Sequence, residues 1–316
     1  MASPASSPAR GNVALVLAAL LLLGSVGLPL LVNAREAARS SRCEERLGKL
    51  ARGCRAYAAV HQETLPSNRR QPFVGWNTLI LPHVEQQEMY DQYDLREDWW
   101  TGKNRTLGSK QVDDFLCPAA PHPQRRVDLL DPDGQAFQAA ATDYVASAGA
   151  YLFRNQVEQL YRGAMASPGR RYEGSGVTAG HAVKLSEITD GQANSLLIVE
   201  MADKPNSWRA GKLHEDRSQN ADPQPLVEGY SIGQWVAPNW NHLRSYSADG
   251  ATPFGPCSVN CSNSGSLYGF HQGYANAAFV DGSVRKIRAG LEEEVLVALV
   301  SIADRELLSA ADYEAE

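Results

Sequence analysis

Asn12 to Val32, NVALVLAALLLLGSVGLPLLV, runs 21 residues without a charge. As a helix rising about 1.5 Å per residue it spans roughly 31 Å, the thickness of a bilayer's hydrocarbon layer. A core helix is rarely apolar on every face, so the stretch predicts a transmembrane helix over 12–32 behind a short cytoplasmic N-terminus, 1–11. From Cys43 the pattern changes. Cys43, Leu47, Leu50, Cys54, Tyr57 and His61 recur at helical spacing as one stripe, with Arg and Glu on the other faces. No proline stands between residues 30 and 65, so the apolar span and an amphipathic helix over 33–62 form one rod, with Pro29 its kink site. The stripe is expected to pack on the protein's own sheet.

Beyond the rod, 63–316 reads as one α+β domain of short strands and turns. GWNTLILPHVEQQEMYDQYD predicts a short strand or helix start, a break at Pro82 and an amphipathic helix. TDYVASAGAYLF, 142–153, predicts a strand pair or a strand and turn, and Ser195 to Met201 a buried strand. Leu291 to Ala303 predicts a short apolar helix. Dense Pro, Gly, Asn and Ser mark 203–268 as a long, variable loop excursion over the surface. In GFHQGYANAAFVDGSVRKI, 269–287, Asp281-Gly282 predicts a two-residue type I′ hairpin turn, which fixes a register of Val280 facing Ser283, Phe279 facing Val284 and Ala277 facing Lys286.

Charge and cysteines narrow the partners. Beyond residue 34 the chain carries 29 basic and 36 acidic side chains, and only 35–55 is Arg-rich, which argues against nucleic acid and fits lipid headgroups. Cys43 and Cys54 lie about 16 Å apart along a helix and cannot bridge. Cys257 and Cys261, in CSVNC, are close enough to close a small disulfide ring outside the cytoplasm. Val32-Asn33-Ala34 has the small residues of a signal-peptidase site, but the apolar stretch exceeds a usual signal core, so a retained anchor is expected.

Candidate chemistry is thin. GYSIG at 229–233 matches the Gly-x-Ser-x-Gly elbow, with Asp249 and His271 in the order of a hydrolase triad, but Pro238 argues against the helix that must follow Ser231. His214, Glu215 and Asp216, with Glu200 and Asp203, lack the spacing of a metal loop. Trp99-Trp100 look exposed, and Trp235 and Trp240 are candidates for stacking a glycan. His271 and Asp281 invite reading as an acid–base dyad, but about 17 Å of strand separates them unless the chain doubles back at Gly273. No catalytic, cofactor-binding or metal-binding residue is expected.

Six blocks in order carry a resemblance: LPLLVNAREAARSSRCEERLGKLARGCRAY, GWNTLILPHVEQQEMYDQYD, FLCPAA, TDYVASAG, ITDGQANSLLIVE and FHQGYANAAFVDGSVRKI, followed by ALVSIADRELLSAADY. With His271-x9-Asp281-Gly282 they resemble the bacterial prepilin-like family known as domain of unknown function 1559, over roughly 12–316. The resemblance implies a pilin-like fold, a long N-terminal helix on an antiparallel β-sheet with long loop insertions. It implies signature positions His271, Asp281, Gly282, Asp190, Gly191, Asn194 and Glu200 in structural roles. It also implies a single-pass protein of the cytoplasmic membrane whose C-terminal domain lies outside the cytoplasm, against the positive-inside count of Arg35, Arg39, Arg42, Arg46, Lys49, Arg52 and Arg55. A link to type II secretion or type IV pilus-like machinery, with other pseudopilin-like subunits as partners, comes with the resemblance; an enzymatic activity does not. The expectation is therefore a non-enzymatic structural or interaction protein, with an anchored solute- or glycan-binding protein as the alternative and a serine hydrolase a distant third. One departure stands out: if Gly11 is the prepilin glycine, Val16 occupies the place of the fifth-position glutamate.

Overall fold

The computed structural model describes residues 9–172, 174, 176–217, 222–230, 233–239, 242–304 and 308–315, with the side chains of 9–29, 31 and 177 outside that description. Helix α1, Ala9–Val60, is one continuous element of 52 residues. The expected membrane span 12–32 forms part of it, but nearly all of its side chains lie outside the described residues. Among the described residues no helix is long and apolar enough to cross a membrane. Residues 32–39 are exposed, and burial begins at Ser40.

From there Cys43, Leu47, Leu50, Cys54 and Ala58 are fully buried. The predicted stripe thus holds to Cys54 and then turns away. Tyr57 is half-buried and His61 exposed, because the helix ends at Val60 and the next residues, Gln62 and Glu63, take left-handed backbone. Gly53 lets α1 press on the turn at Val84, whose methyl carbon would lie 2.7 Å from any added Cβ.

The fold class is α+β. Numbering strands of three residues or more, β1 is Arg126–Leu130, β2 Ala136–Ala140, β3 Tyr144–Ala146, β4 Gly149–Arg154, β5 Val157–Arg162, β6 Leu196–Glu200, β7 Ser207–Arg209, β8 Lys212–Glu215, β9 Tyr274–Phe279 and β10 Val284–Arg288. The central sheet runs β10-β9-β6-β3, every neighbour antiparallel. Both its faces are covered, which is why β6 reads as an unbroken apolar run. Tyr144, Ala146, Ile198 and Ala278 join the core beneath α1, whereas Val145, Val199, Ala275, Ala277 and Phe279 meet helix α2, Glu293–Val300. The alanines of β9 keep that strand thin where α1 packs on it.

The hairpin corrects its prediction in one respect. Ala278 pairs with Val284, Ala277 with Arg285 and Asn276 with Lys286, one residue out of the expected register. The loop holds three residues, not two. Gly282 N–H donates to Phe279 O and Phe279 N–H to Ser283 O, both at 2.9 Å, and only Gly282 has positive φ, +92°. A type I turn closed by a left-handed glycine thus replaces the I′ turn, because Asp281 keeps ordinary backbone and caps Ser283 instead.

Three other segments differ from expectation. Helix Trp76–Ile80 gives way at Pro82 to a 3-10 turn, Leu81–His83, as expected, but the amphipathic helix beyond it is only the six residues Gln87–Gln92, none of them buried. Trp99 and Trp100 are buried. The 203–268 region, read as surface, sends Trp235, Val236, Leu243, Val259 and Leu267 into the core. Asparagines make this possible by satisfying irregular backbone: Asn263 Nδ2 donates to Ala202 O and Asn206 O, and its Oδ1 accepts from Trp208 N.

The two-residue strand His242–Leu243 runs parallel to β4. His242 lies edge-on to Tyr151 and Tyr172, its Nε2 buried without a hydrogen-bond partner. Burial, with Arg170 and Arg244 adding repulsion, holds its pKa down to about 3. A folded value below the unfolded one means stability is full above about pH 6.5 and is lost as pH falls toward 3. Between pH 7 and 5 the wild type should lose up to about 2 kcal/mol through this group. Urea denaturation of His242→Gln should lack that slope; an unchanged slope rejects the assignment.

Candidate functional site

The signature residues separate into two clusters at opposite ends of β9. At the hairpin end, Gly191 turns with φ +99°, Asn194 Nδ2 donates to Asp190 O, and Asp190 Oδ2 accepts from Asp304 N at 2.9 Å. This loop packs on the tip through Asp281 N–H donating to Gln192 O. Arg55 of α1 binds both partners, donating to Val280 O at 2.7 Å and Gln192 Oε1 at 3.0 Å. Asp281 accepts from Ser283 N and Oγ. It has no part in the chemistry of His271.

At the other end the chain does double back, at Gly273 with φ +83°, where His271 bridges Tyr274. The two rings stack with centroids 5.1 Å apart. Tyr274 Oη lies 2.7 Å from Ser40 Oγ, which ties this turn to α1. His271 Nε2 then faces inward, 3.3 Å from Glu200 Oε1 and 3.7 Å from Cys117 Sγ. Glu200 ends β6, fully buried; its Oε2 accepts from Asn276 N at 2.9 Å and Asn276 Nδ2 at 3.2 Å, while Oε1 accepts no hydrogen bond. Burial works against the imidazolium, but the facing Glu200 carboxylate outweighs it, and the pKa of His271 is raised. A cleft of about 700 Å³ beside α1, with Glu36 and Glu44 on its rim, reaches His271 from outside.

Cys117 is joined to Cys43 in a disulfide that staples α1 to the loop after Phe115, across 74 positions. Sequence reading missed this pair. It needed the knowledge that FLCPAA folds back over the first buried turn of α1. The Sγ atoms of Cys43 and Cys117, an oxygen of Glu200 and a nitrogen of His271 all lie within 4.8 Å of one another. Cys54 is a buried free thiol, and burial pushes its pKa up. Cys257 and Cys261 are bonded, their Cα atoms 6.1 Å apart.

A buried ion network supports the staple. Arg125 contacts Asp143 and, at 3.2 Å, Asp203, all three essentially inaccessible. Asp143 Oδ2 accepts from Cys117 N at 2.8 Å, and Asp203 Oδ2 from Trp208 Nε1 at 2.7 Å. His122 Nδ1 lies 2.8 Å from the same Asp203 oxygen. None of these charges stands in a motif of recognisable spacing.

The remaining candidates are scattered. Trp235 is fully buried, stacked on Phe115 with its indole N–H on Lys110 O, so it presents no face to a sugar. Trp240 and Ser231 lie outside the described residues. Asp249 spends its carboxylate on Ser247 and Ala251 in its own turn. His214 and Glu215 are exposed on β8, apart from buried Glu200 and Asp203, and Glu215 pairs with Arg217.

One family model matches the chain, over residues 32–294, and its description is protein of unknown function (DUF1559). No curated protein and no solved structure matches.

Proposed function

The chain belongs to the DUF1559 family of proteins of unknown function, and from that premise we propose that it is a non-enzymatic, membrane-anchored interaction module of pilin-like build. One observation carries the reading: a single helix, Ala9–Val60, holds the uncharged stretch 12–32 at one end and the buried stripe at the other. The stripe end is bonded through Cys43 to the head. A disulfide between buried cysteines suits an oxidising compartment, so the head stands outside the cytoplasm and residues 12–32 hold it to the bilayer. Its partners are other pilin-like subunits or secretion machinery. Val16 at the fifth place after Gly11 leaves no glutamate to neutralise a neighbour's terminal amine, and this favours an anchor that is not trimmed into a filament subunit. The glycan-binding alternative loses Trp235 as a platform.

The test is topology in a bacterial host. The full chain should resist alkaline extraction from membranes, its intact mass should begin at Met1 or Ala2, and a C-terminal alkaline phosphatase fusion should be active. A fluorescent C-terminal green fluorescent protein fusion exported by no signal, or a chain released by alkali, would sink the reading.

A further inference from the structure

The cluster around the signature histidine does more than pin a helix. We propose that reduction of the Cys43–Cys117 disulfide turns it into a tetrahedral site for a thiophilic divalent cation, zinc foremost, held by Cys43, Cys117, Glu200 and His271. The inference goes beyond the anchoring role and does not depend on it.

Geometry is the first argument. A tetrahedral zinc with bonds of about 2.0 Å to nitrogen and oxygen and about 2.3 Å to sulfur sets N···O edges near 3.3 Å and N···S edges near 3.6 Å. The structure has 3.3 Å between His271 Nε2 and Glu200 Oε1, and 3.7 Å between His271 Nε2 and Cys117 Sγ. The remaining ligand atoms all lie within 4.8 Å of one another, and the sulfur–sulfur edge is the one that must open, because zinc needs the two thiolates about 3.8 Å apart. That edge is the disulfide itself, so the oxidised site excludes the cation and the reduced site admits it.

The surroundings fit a ligand role. Glu200 is a fully buried carboxylate whose Oε1 faces the cluster, with the His271 Nε2 ion pair at 3.3 Å as its balancing contact. Its other oxygen is locked by Asn276, and Cys117 is positioned by Asp143 on its backbone N–H, the kind of outer support that orients metal ligands. Without a metal the reduced cysteines stay neutral thiols, and a divalent ion is what would stabilise both as thiolates beside that carboxylate. The cleft with Glu36 and Glu44 at its rim gives a cation a route to His271. Cys54, about 16 Å along the helix from Cys43, cannot substitute.

The chemistry balances with a dithiol reductant. Its two thiols exchange with the Cys43–Cys117 bond, giving two cysteine thiols and the reductant's own disulfide, a transfer of two electrons and two protons. The divalent ion then displaces the two thiol protons, and any proton His271 holds on Nε2 toward Glu200, to solvent as it binds. Oxidation reverses both steps and expels the ion.

The test uses the full chain in detergent, in a Cys257→Ser, Cys261→Ser background, with cobalt(II) as the probe. The reduced protein should bind one equivalent and show thiolate-to-cobalt charge-transfer absorption with tetrahedral ligand-field bands; the oxidised protein should show neither. Glu200→Gln and His271→Ala should weaken binding by more than about tenfold, the least that loss of even a supporting residue produces. If those variants do not fold, the wild-type pair decides, since zinc should raise the melting temperature of the reduced protein over a chelator control and leave the oxidised protein unmoved. Absence of the charge-transfer band in reduced protein, equal binding by oxidised protein, or folded variants with unchanged affinity overturns the proposal.

Discussion

Arg125→Met should destabilise the protein by about 3–5 kcal/mol at neutral pH, as removal of one partner from a buried ion network does. The guanidinium sits between two buried carboxylates, Asp143 and Asp203, and also donates through Nε to Lys204 O at 2.9 Å. Methionine fills much of the same volume, so what is lost is charge and hydrogen bonding rather than packing. Burial already pushes the Asp143 carboxyl up despite Arg125 beside it. Without the arginine the two carboxylates keep only hydrogen-bond partners and His122 at Asp203, which favours a proton on one of them. A folded pKa raised above the unfolded value means that stability is present at acid pH and lost as pH rises through the raised value. The penalty should therefore be larger at pH 7.5 than at pH 5. Urea denaturation of wild type and variant at both pH values checks it, and a penalty below about 1 kcal/mol, or one growing toward acid, contradicts the account.

The rod was legible because its signals are local. An uncharged stretch, a helical stripe and the lack of proline need no knowledge of the rest of the chain. The strands β6, β9 and β10 announced themselves through an apolar run and an Asp-Gly turn, yet the register slipped by one residue. Turn type depends on whether the aspartate takes positive φ, and Ser283, which offers its N–H and hydroxyl to Asp281, decided that. The buried irregular region was not legible at all. Asn239, Asn263 and Asn206 read as loop formers, and they do form loops, but loops whose backbone groups they satisfy well enough to be buried. The candidate site was half legible. His271 and Glu200 stood out through the family resemblance, while their meeting with Cys117 depends on long-range folding that no spacing encodes. The same holds for Arg125, whose partners lie 18 and 78 positions away.

Removing the long-range staple should lower the unfolding free energy by about 4 kcal/mol. The Cys43–Cys117 bond closes a loop of 74 positions, so its loss frees a large share of unfolded-chain entropy. The Cys257–Cys261 ring spans 4 positions and should give up only about 2 kcal/mol by the same relation. Cys43→Ser, Cys117→Ser and Cys257→Ser, Cys261→Ser double variants, unfolded by urea in a chelator that removes adventitious metal, separate the two. The difference has a structural consequence as well. Cys43 sits at the first buried turn of α1, just beyond exposed residues 32–39, where any pull from the apolar end reaches the head first. With the bond intact, that load passes to Cys117 and on to the network at Asp143; without it, α1 is held by packing and by non-covalent contacts such as those of Ser40 and Arg55. Amide exchange should then accelerate first in residues 40–47, before the sheet is affected. Equal losses for the two double variants, or uniform acceleration across β6 and β9, would mean that the staple does not hold the helix to the head.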